Sequence, residues 1–224
     1  MSSSNIVLVL GGVRSGKSRF GQDLAHELGG NDLLFVATAE SRDDEMALRI
    51  QRHQQDRPAT WTTLEQPLGV GDAIAAMTNA PAVILLDCLT LLVSNILLKH
   101  HDDFSAAEAG VRAEVASLVA AVQHHSATLV VVSGEVGMGV VPESSLGRQF
   151  RDLLGWANQA LARHASATYL MVAGLAVNVT QIASTVEQAA SSVAFRSAKV
   201  APEDAAFAER KATIASTQAE GPNR

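Results

Sequence analysis

The chain has 224 residues, 47% of them hydrophobic and 18% charged, enough for one α/β domain with a sizeable core. The formal net charge is −6 without any Lys/Arg run, so a nucleic-acid partner has no electrostatic footprint here. No stretch approaches the roughly 20 apolar residues that span a bilayer, and Ile6 to Leu10 is too short for a signal peptide's apolar region. The one cysteine, Cys88, sits in an apolar run and reads as a buried small hydrophobe, and a reducing cytoplasm is the expected location.

Ile6-Val7-Leu8-Val9-Leu10 is a wholly apolar run, the pattern of a strand buried on both faces. It leads into Gly11-Gly12-Val13-Arg14-Ser15-Gly16-Lys17-Ser18, which fits G-x-x-x-x-G-K-[ST]. Residues 19–28 then read as a helix with Phe20, Leu24 and Leu28 on one side. Strand, glycine-rich turn and helix start are the context of a P-loop. Its backbone N–H groups and the helix N-terminus cradle a triphosphate. Lys17 can reach the β- and γ-phosphates, and the Ser18 hydroxyl can hold Mg²⁺. An incidental Lys-Ser in a Gly-rich turn is the weaker reading, given these flanks.

Gly29 and Gly30 stop the helix, and Leu33 to Ala37 forms a second apolar strand leading into Thr38-Ala39-Glu40. Residues 43–55 read as a helix with acidic residues first and basic ones later, as the helix dipole prefers. Met46, Ile50 and His53 share one side of it. On spacing alone His53 is a structural histidine on an inward-facing stripe. Ala59 to Leu64 makes a strand closed by Glu65, and residues 68–77 a short helix.

Ala82 to Leu86 is apolar and ends in Asp87, the pattern of a Walker B strand whose carboxylate orders the Mg²⁺ shell. Helices are expected over 90–98, 106–125 and 146–165, and strands over 127–133 and 167–173, the latter the last clear strand. His100-His101-Asp102-Asp103 reads as a solvated loop in preference to a metal site. Gly134, Gly137 and Gly139 follow a strand end, where doubly wound sheets bind ligands. The alternation of strands and helices predicts a P-loop NTPase-like (RecA-like) fold, mainly parallel with helices on both faces. Residues 1–179 are expected to form this domain, and 180–224, rich in Ala, Ser, Thr and Gln, a weakly packed or disordered extension.

The Arg14-Ser15 pair inside the P-loop joins a series of further segments. These are Asp43-Asp44-Glu45-Met46, Arg49 to His53, Arg57-Pro58, Trp61, Gly134 to Glu143, Phe150-Arg151-Asp152, Gly155 and Asn158-Gln159. In this order and spacing, from about Asn5 to Val179, the chain resembles the bifunctional adenosylcobinamide kinase/adenosylcobinamide-phosphate guanylyltransferase family. The resemblance implies transfer of a phosphate from ATP or GTP to the corrinoid's aminopropanol hydroxyl, then attachment of GMP from GTP with release of pyrophosphate. It implies a covalent guanylyl intermediate on His53, whose neutral imidazole is a competent nucleophile near its unperturbed pKa of about 6.5. Arg52 stands where some relatives carry a second histidine, and a guanidinium cannot take that role. Trp156 replaces a basic residue found in some relatives.

The resemblance also implies nucleotide contacts at Ala37, Thr38, Ala39, Gln54, Gln55, Asp56, Arg57, Glu65 and Asp87. Glu65 suits either the guanine N1–H and N2–H pair or the ribose hydroxyls. The substrates implied are adenosylcobinamide and its phosphate with GTP and ATP, the cofactor Mg²⁺, and the assembly a homo-oligomer, a trimer. Two other readings stand beside this one: a P-loop kinase of another small metabolite with a structural His53, and a nucleotide switch without turnover.

Overall fold

The computed structural model describes residues 5–40, 58 and 60–193. Among the described residues there are seven strands: β1 (Asn5–Gly11), β2 (Leu33–Ala37), β3 (Thr62–Glu65), β4 (Val83–Asp87), β5 (Thr128–Gly134), β6 (Ala165–Val172) and β7 (Leu175–Asn178). They form one sheet in the order β3-β2-β4-β5-β1-β6-β7, parallel everywhere except between β6 and β7. Among the described residues up to 182 the helices are α1 (Lys17–Gly29), α2 (Val70–Ala75), α3 (Leu89–Lys99), α4 (Phe104–His125), α5 (Ser145–Ala162) and the single turn α6 (Val179–Ile182). This is the mainly parallel P-loop NTPase fold, RecA-like in that β5 separates the P-loop strand β1 from the acid-bearing strand β4.

Period-two alternation along each central strand divides the core. Ile6, Leu8, Leu34, Val36, Ile84, Leu86, Leu129 and Val131 face the layer built from α2, α3, α4 and α5. Val9, Leu33, Phe35, Val83, Leu85, Val130 and Val132 face the other way, where α1 contributes Ala25 with Phe20 and Leu24. Both faces are therefore covered, which is why these strands read as continuous apolar runs and not as alternating ones.

Of the apolar side expected for α1, Phe20 and Leu24 pack on the core and Leu28 does not. Gly21 and Ala25 are buried, while Leu28 is 51% exposed. A Cβ at Gly21 would lie 2.7 Å from Val132 Cγ2, so the glycine lets the helix sit close on β5 and turns Leu28 outward. Phe20 and Leu24 remain half-buried, Phe20 against the Tyr169 ring at 5.2 Å between centroids.

Three further expectations are corrected. The expected α5 end at residue 165 moves back to Ala162, because β6 already begins at Ala165 beside Ile6. Residues 167–173 are not the last strand: Ala173 (φ 50°) and Gly174 (φ 83°) make a tight turn into the antiparallel β7. The start of β3 moves from 59 to Thr62, with Ala59 outside the described residues.

Caps account for several helix starts. Asp103 caps α4 by accepting from Ala106 N–H, and Ser144 caps α5 by accepting from Gly147 N–H. Asp103 is thus structural, and His101 with Asp102 forms an exposed surface pair. Among the described residues no group of three or more His, Cys, Asp or Glu side chains could hold a metal ion. No helix among them is long and apolar enough to cross a membrane.

Met1–Gln181 forms one compact unit and Ile182–Arg224 a second. In the second, a helix over 186–193 opens with a reciprocal capping box: Thr185 N–H donates to Gln188 Oε1 and Gln188 N–H to Thr185 Oγ1. Hydrogen bonds from its own backbone N–H and from Thr185 hold the Glu187 carboxyl below its ordinary range.

Candidate active site

The site is built at the C-terminal edge of the sheet. Gly11 ends β1 level with Gly134 of β5 and Met171 of β6. A Cβ at Gly11 would collide with Ser15 Oγ, so glycine there lets the loop fold back on its own strand. Arg14 (φ 58°) and Gly16 (φ 93°) turn the chain into α1. No side chain caps that helix, so its first N–H groups point into the loop as donors for an anion. Ser15 is buried, and its Oγ has no hydrogen-bond partner among the described residues.

The β6–β7 turn braces this loop from behind. Gly174 N–H donates to Ser15 O at 2.9 Å, and a Cβ on Gly16 would come within 3.2 Å of Gly174 Cα. The hairpin that the sequence concealed is thus a support of the phosphate loop.

Lys17 Nζ donates to Gly12 O at 3.1 Å across the mouth of the loop, in an exposed position. Ser18, in the first turn of α1, directs its hydroxyl to Asp87 Oδ1 at 3.5 Å. Since β5 lies between β1 and β4, Asp87 is about 10 Å across the sheet from β1. Only because α1 crosses over β5 and β4 can Ser18 meet it. Hydroxyl and carboxylate oxygens are the hard donors that Mg²⁺ takes, so this pair fits the ion.

Neighbouring strand ends are level with this pair. Ala37 pairs with Asp87 on one side and with Glu65 on the other. Ala37 is buried and Glu65 exposed, and Glu65 and Asp87 each make a further interaction. Thr38 is wholly buried: its Oγ1 donates to Cys88 O at 2.7 Å and accepts from Cys88 N–H at 3.0 Å. Asn95 Nδ2 in turn donates to Thr38 O at 2.8 Å and Pro67 O at 3.1 Å. The Thr38 side chain therefore acts on the strand-end residue after Asp87, and Ala39 is half-buried beyond it. Burial, foremost, and the Asp87 charge push the Cys88 thiol up to about 11, so it stays neutral near pH 7.

Sequence reasoning gave no role to Thr90 and Ser133, and quoted Asn158 only as part of the resemblance, yet these three hold the neighbouring strand end. Thr90 Oγ1 accepts from Gly134 N–H at 2.7 Å. Asn158 Nδ2 donates to Gly134 O at 3.0 Å, while its Oδ1 accepts from Ser133 Oγ at 2.6 Å. The available signal was a polar residue in an otherwise apolar helix side, as Asn95 and Asn158 both are. Trp156 is half-buried, with the Arg112 guanidinium 4.2 Å over its ring.

Beside Ser18 lies a cavity of about 500 Å³ lined by Arg19, Gln22, Asp23, His26, Pro58 and Trp61 as well. Trp61 is stacked on Phe35, and its Nε1–H is buried without a hydrogen-bond partner among the described residues. His53, Gln54, Gln55, Asp56 and Arg57 lie outside the described residues, as does the whole of the helix expected over 43–55.

The sequence profile of the CobU family, described as cobinamide kinase / cobinamide phosphate guanyltransferase, matches residues 7–179. The chain is 42% identical over 181 residues to the bifunctional adenosylcobalamin biosynthesis protein CobU of Escherichia coli, covering 78% of this chain and 99% of that one. It is 41% identical to the CobU protein of Salmonella typhimurium, with the same coverage. Against the corresponding CobP protein of Pseudomonas aeruginosa it is 39% identical over 168 residues, 75% of this chain and 93% of that one. A P-loop closed against Asp87, and a family profile spanning the whole sheet, lead to one conclusion: the chain belongs to the cobinamide kinase / cobinamide phosphate guanyltransferase family, a family of bifunctional enzymes.

Proposed function

We propose that this chain phosphorylates the aminopropanol hydroxyl of adenosylcobinamide with ATP or GTP, then transfers GMP from GTP to the new phosphate. The observation that carries the reading is the convergence of Lys17, Ser18 and Asp87 at one end of the sheet. In the first step the alcohol oxygen attacks the γ-phosphorus and loses its proton to solvent, the bond to the β-bridging oxygen breaks, and the nucleoside diphosphate leaves. Lys17 neutralises the charge that develops on the β- and γ-oxygens, and the uncapped start of α1 donates its N–H groups to them. Mg²⁺, when held by Ser18 and Asp87, offsets phosphate charge during this transfer.

In the second step a ring nitrogen of His53 attacks the α-phosphorus of GTP and pyrophosphate leaves. The corrinoid phosphate oxygen then attacks the resulting phosphoramidate and frees the imidazole. The family match over residues 7–179, which includes position 53, supports the assignment. Ala37 to Ala39, Gln54 to Arg57 and Glu65 complete the nucleotide contacts, with Glu65 accepting from the guanine edge or the ribose hydroxyls. The working assembly is a trimer in the cytoplasm, with residues 1–179 catalytic and 180–224 an appended extension.

Label from [γ-³²P]ATP tests the first step. Wild type passes it to adenosylcobinamide, while Lys17→Met and Asp87→Asn do so at least about 100-fold more slowly. A folded wild type that binds nucleotide but labels no corrinoid overturns the reading.

A further inference from the structure

The loop that leaves β5 beside the phosphate loop has properties that nucleotide binding does not use. Its first residue is tied to the P-loop: Glu135 N–H donates to Gly11 O at 3.1 Å. Its root is anchored by Val136, which packs on the core, and by Gly137 N–H, which donates to Glu135 Oε1 at 2.7 Å. Its far end is clamped by Arg148, whose Nη1 donates to Pro142 O at 3.0 Å and Glu143 O at 2.6 Å. Between these fixed ends it presents apolar side chains to solvent: Met138 is 81% exposed, Val140 94% and Val141 58%. Val13, at the tip of the P-loop itself, is 86% exposed.

An ordered loop that holds large apolar side chains in water has a partner to bury them. Residues 134–141 contain no Lys or Arg, and the one charged side chain among them is the acid Glu135. A triphosphate is not drawn to such a surface. The acceptor has the complementary chemistry: a broad macrocycle with methyl groups on its rim, amide-bearing arms and no anionic group before the first transfer. Gly137 and Gly139 are exposed and without side chains, leaving backbone amides accessible to those arms.

We infer that Met138, Val140 and Val141, with Val13, form the shelf on which the corrinoid acceptor rests, holding its alcohol over the nucleotide's terminal phosphate. The inference rests on the function proposed above and adds residues that select the acceptor. Because Gly134 and Gly11 are register partners, a molecule lying on this loop is brought next to the phosphates without any domain movement. The shelf explains how a P-loop designed around a small anion can serve an alcohol on a far larger molecule.

The test is steady-state phosphorylation of adenosylcobinamide by wild type and a Met138→Ser/Val140→Ser double variant, with nucleotide affinity and oligomer mass measured in parallel. We expect the KM for the corrinoid to rise about tenfold or more, a difference of about 1.4 kcal/mol, with nucleotide affinity and oligomer mass unchanged. Leu28→Ser, which removes an exposed apolar side chain at the opposite end of α1, leaves that KM where it is. An unchanged corrinoid KM in the double variant refutes the shelf. So does a changed oligomer mass, which makes the loop a contact between copies of the chain. A wild type that phosphorylates no corrinoid instead refutes the function proposed above, and the two failures are told apart by the wild-type rate alone.

Discussion

Replacing Thr38 by valine keeps the side chain's shape and deletes one oxygen. That oxygen bonds both to the Cys88 carbonyl and to the Cys88 N–H, at 2.7 and 3.0 Å in a fully buried position. The carbonyl keeps a second partner, since Leu92 N–H donates to it at 3.2 Å. The Cys88 N–H loses the hydroxyl oxygen that it donates to. Two net hydrogen bonds at about 0.5–1.5 kcal/mol each, weighted toward the stranded donor, make the expected loss about 2–3 kcal/mol. At about 2–4 °C per kcal/mol for a unit of this size, the melting temperature falls by about 5–10 °C. Thr38→Ser keeps the oxygen and loses one methyl, a cost of about 1 kcal/mol. Thermal and urea denaturation read both variants. Because Asp87 adjoins Cys88, Thr38→Val also slows phosphate transfer at temperatures where it is fully folded. A valine variant as stable as wild type, or less destabilised than serine, refutes the role given to this hydroxyl.

Other perturbations separate chemistry from folding. Lys17→Met reduces phosphate transfer by about 10²–10³ yet alters stability by no more than about 0.5 kcal/mol, because its bond to Gly12 O is exposed; a stability loss several times larger contradicts this placement. Gly71→Ala places a Cβ 2.5 Å from Leu118 N, between α2 and α4, and costs about 1–3 kcal/mol in urea unfolding. Cys88 has a folded pKa raised from 9.0 to about 11. The stability this confers is complete below pH 9 and is lost as pH rises toward 11, roughly 3 kcal/mol over that window. Urea midpoints of wild type and Cys88→Ala should therefore converge or cross across that range. A difference that is flat with pH rules the coupling out. Iodoacetamide should also label native Cys88 slowly at pH 8 and the urea-unfolded chain rapidly.

The parts of the fold that were legible in the sequence are those where burial on both faces leaves an unbroken apolar run. Strands β1, β2, β4 and β5 all have this form, and each leads into a glycine, a threonine or an acid at the edge where the site lies. The P-loop was legible because its glycines and Lys17 are required one by one by the geometry they serve. What remained hidden depends on tertiary contact. The packed side of α1 is decided by Gly21 lying on Val132, which no count of large apolar residues reveals. The β6–β7 hairpin was missed because Ala173-Gly174 lacks the Asn-Gly or Asp-Gly pair that announces such a turn, and because β7 is largely exposed. Thr38 was placed at the nucleotide by resemblance, yet its hydroxyl bridges to a residue 50 positions away. Long-range hydrogen bonds of this kind leave no periodicity to read.

The most direct measurement is the intact mass of the protein after incubation with GTP and Mg²⁺, on wild type and on His53→Ala. The account predicts that wild type gains the mass of one GMP in an acid-labile linkage and that the variant gains nothing while retaining its fold. A wild type that phosphorylates adenosylcobinamide but never carries GMP, or a variant that carries it still, contradicts the two-step mechanism and the nucleophile assigned to it.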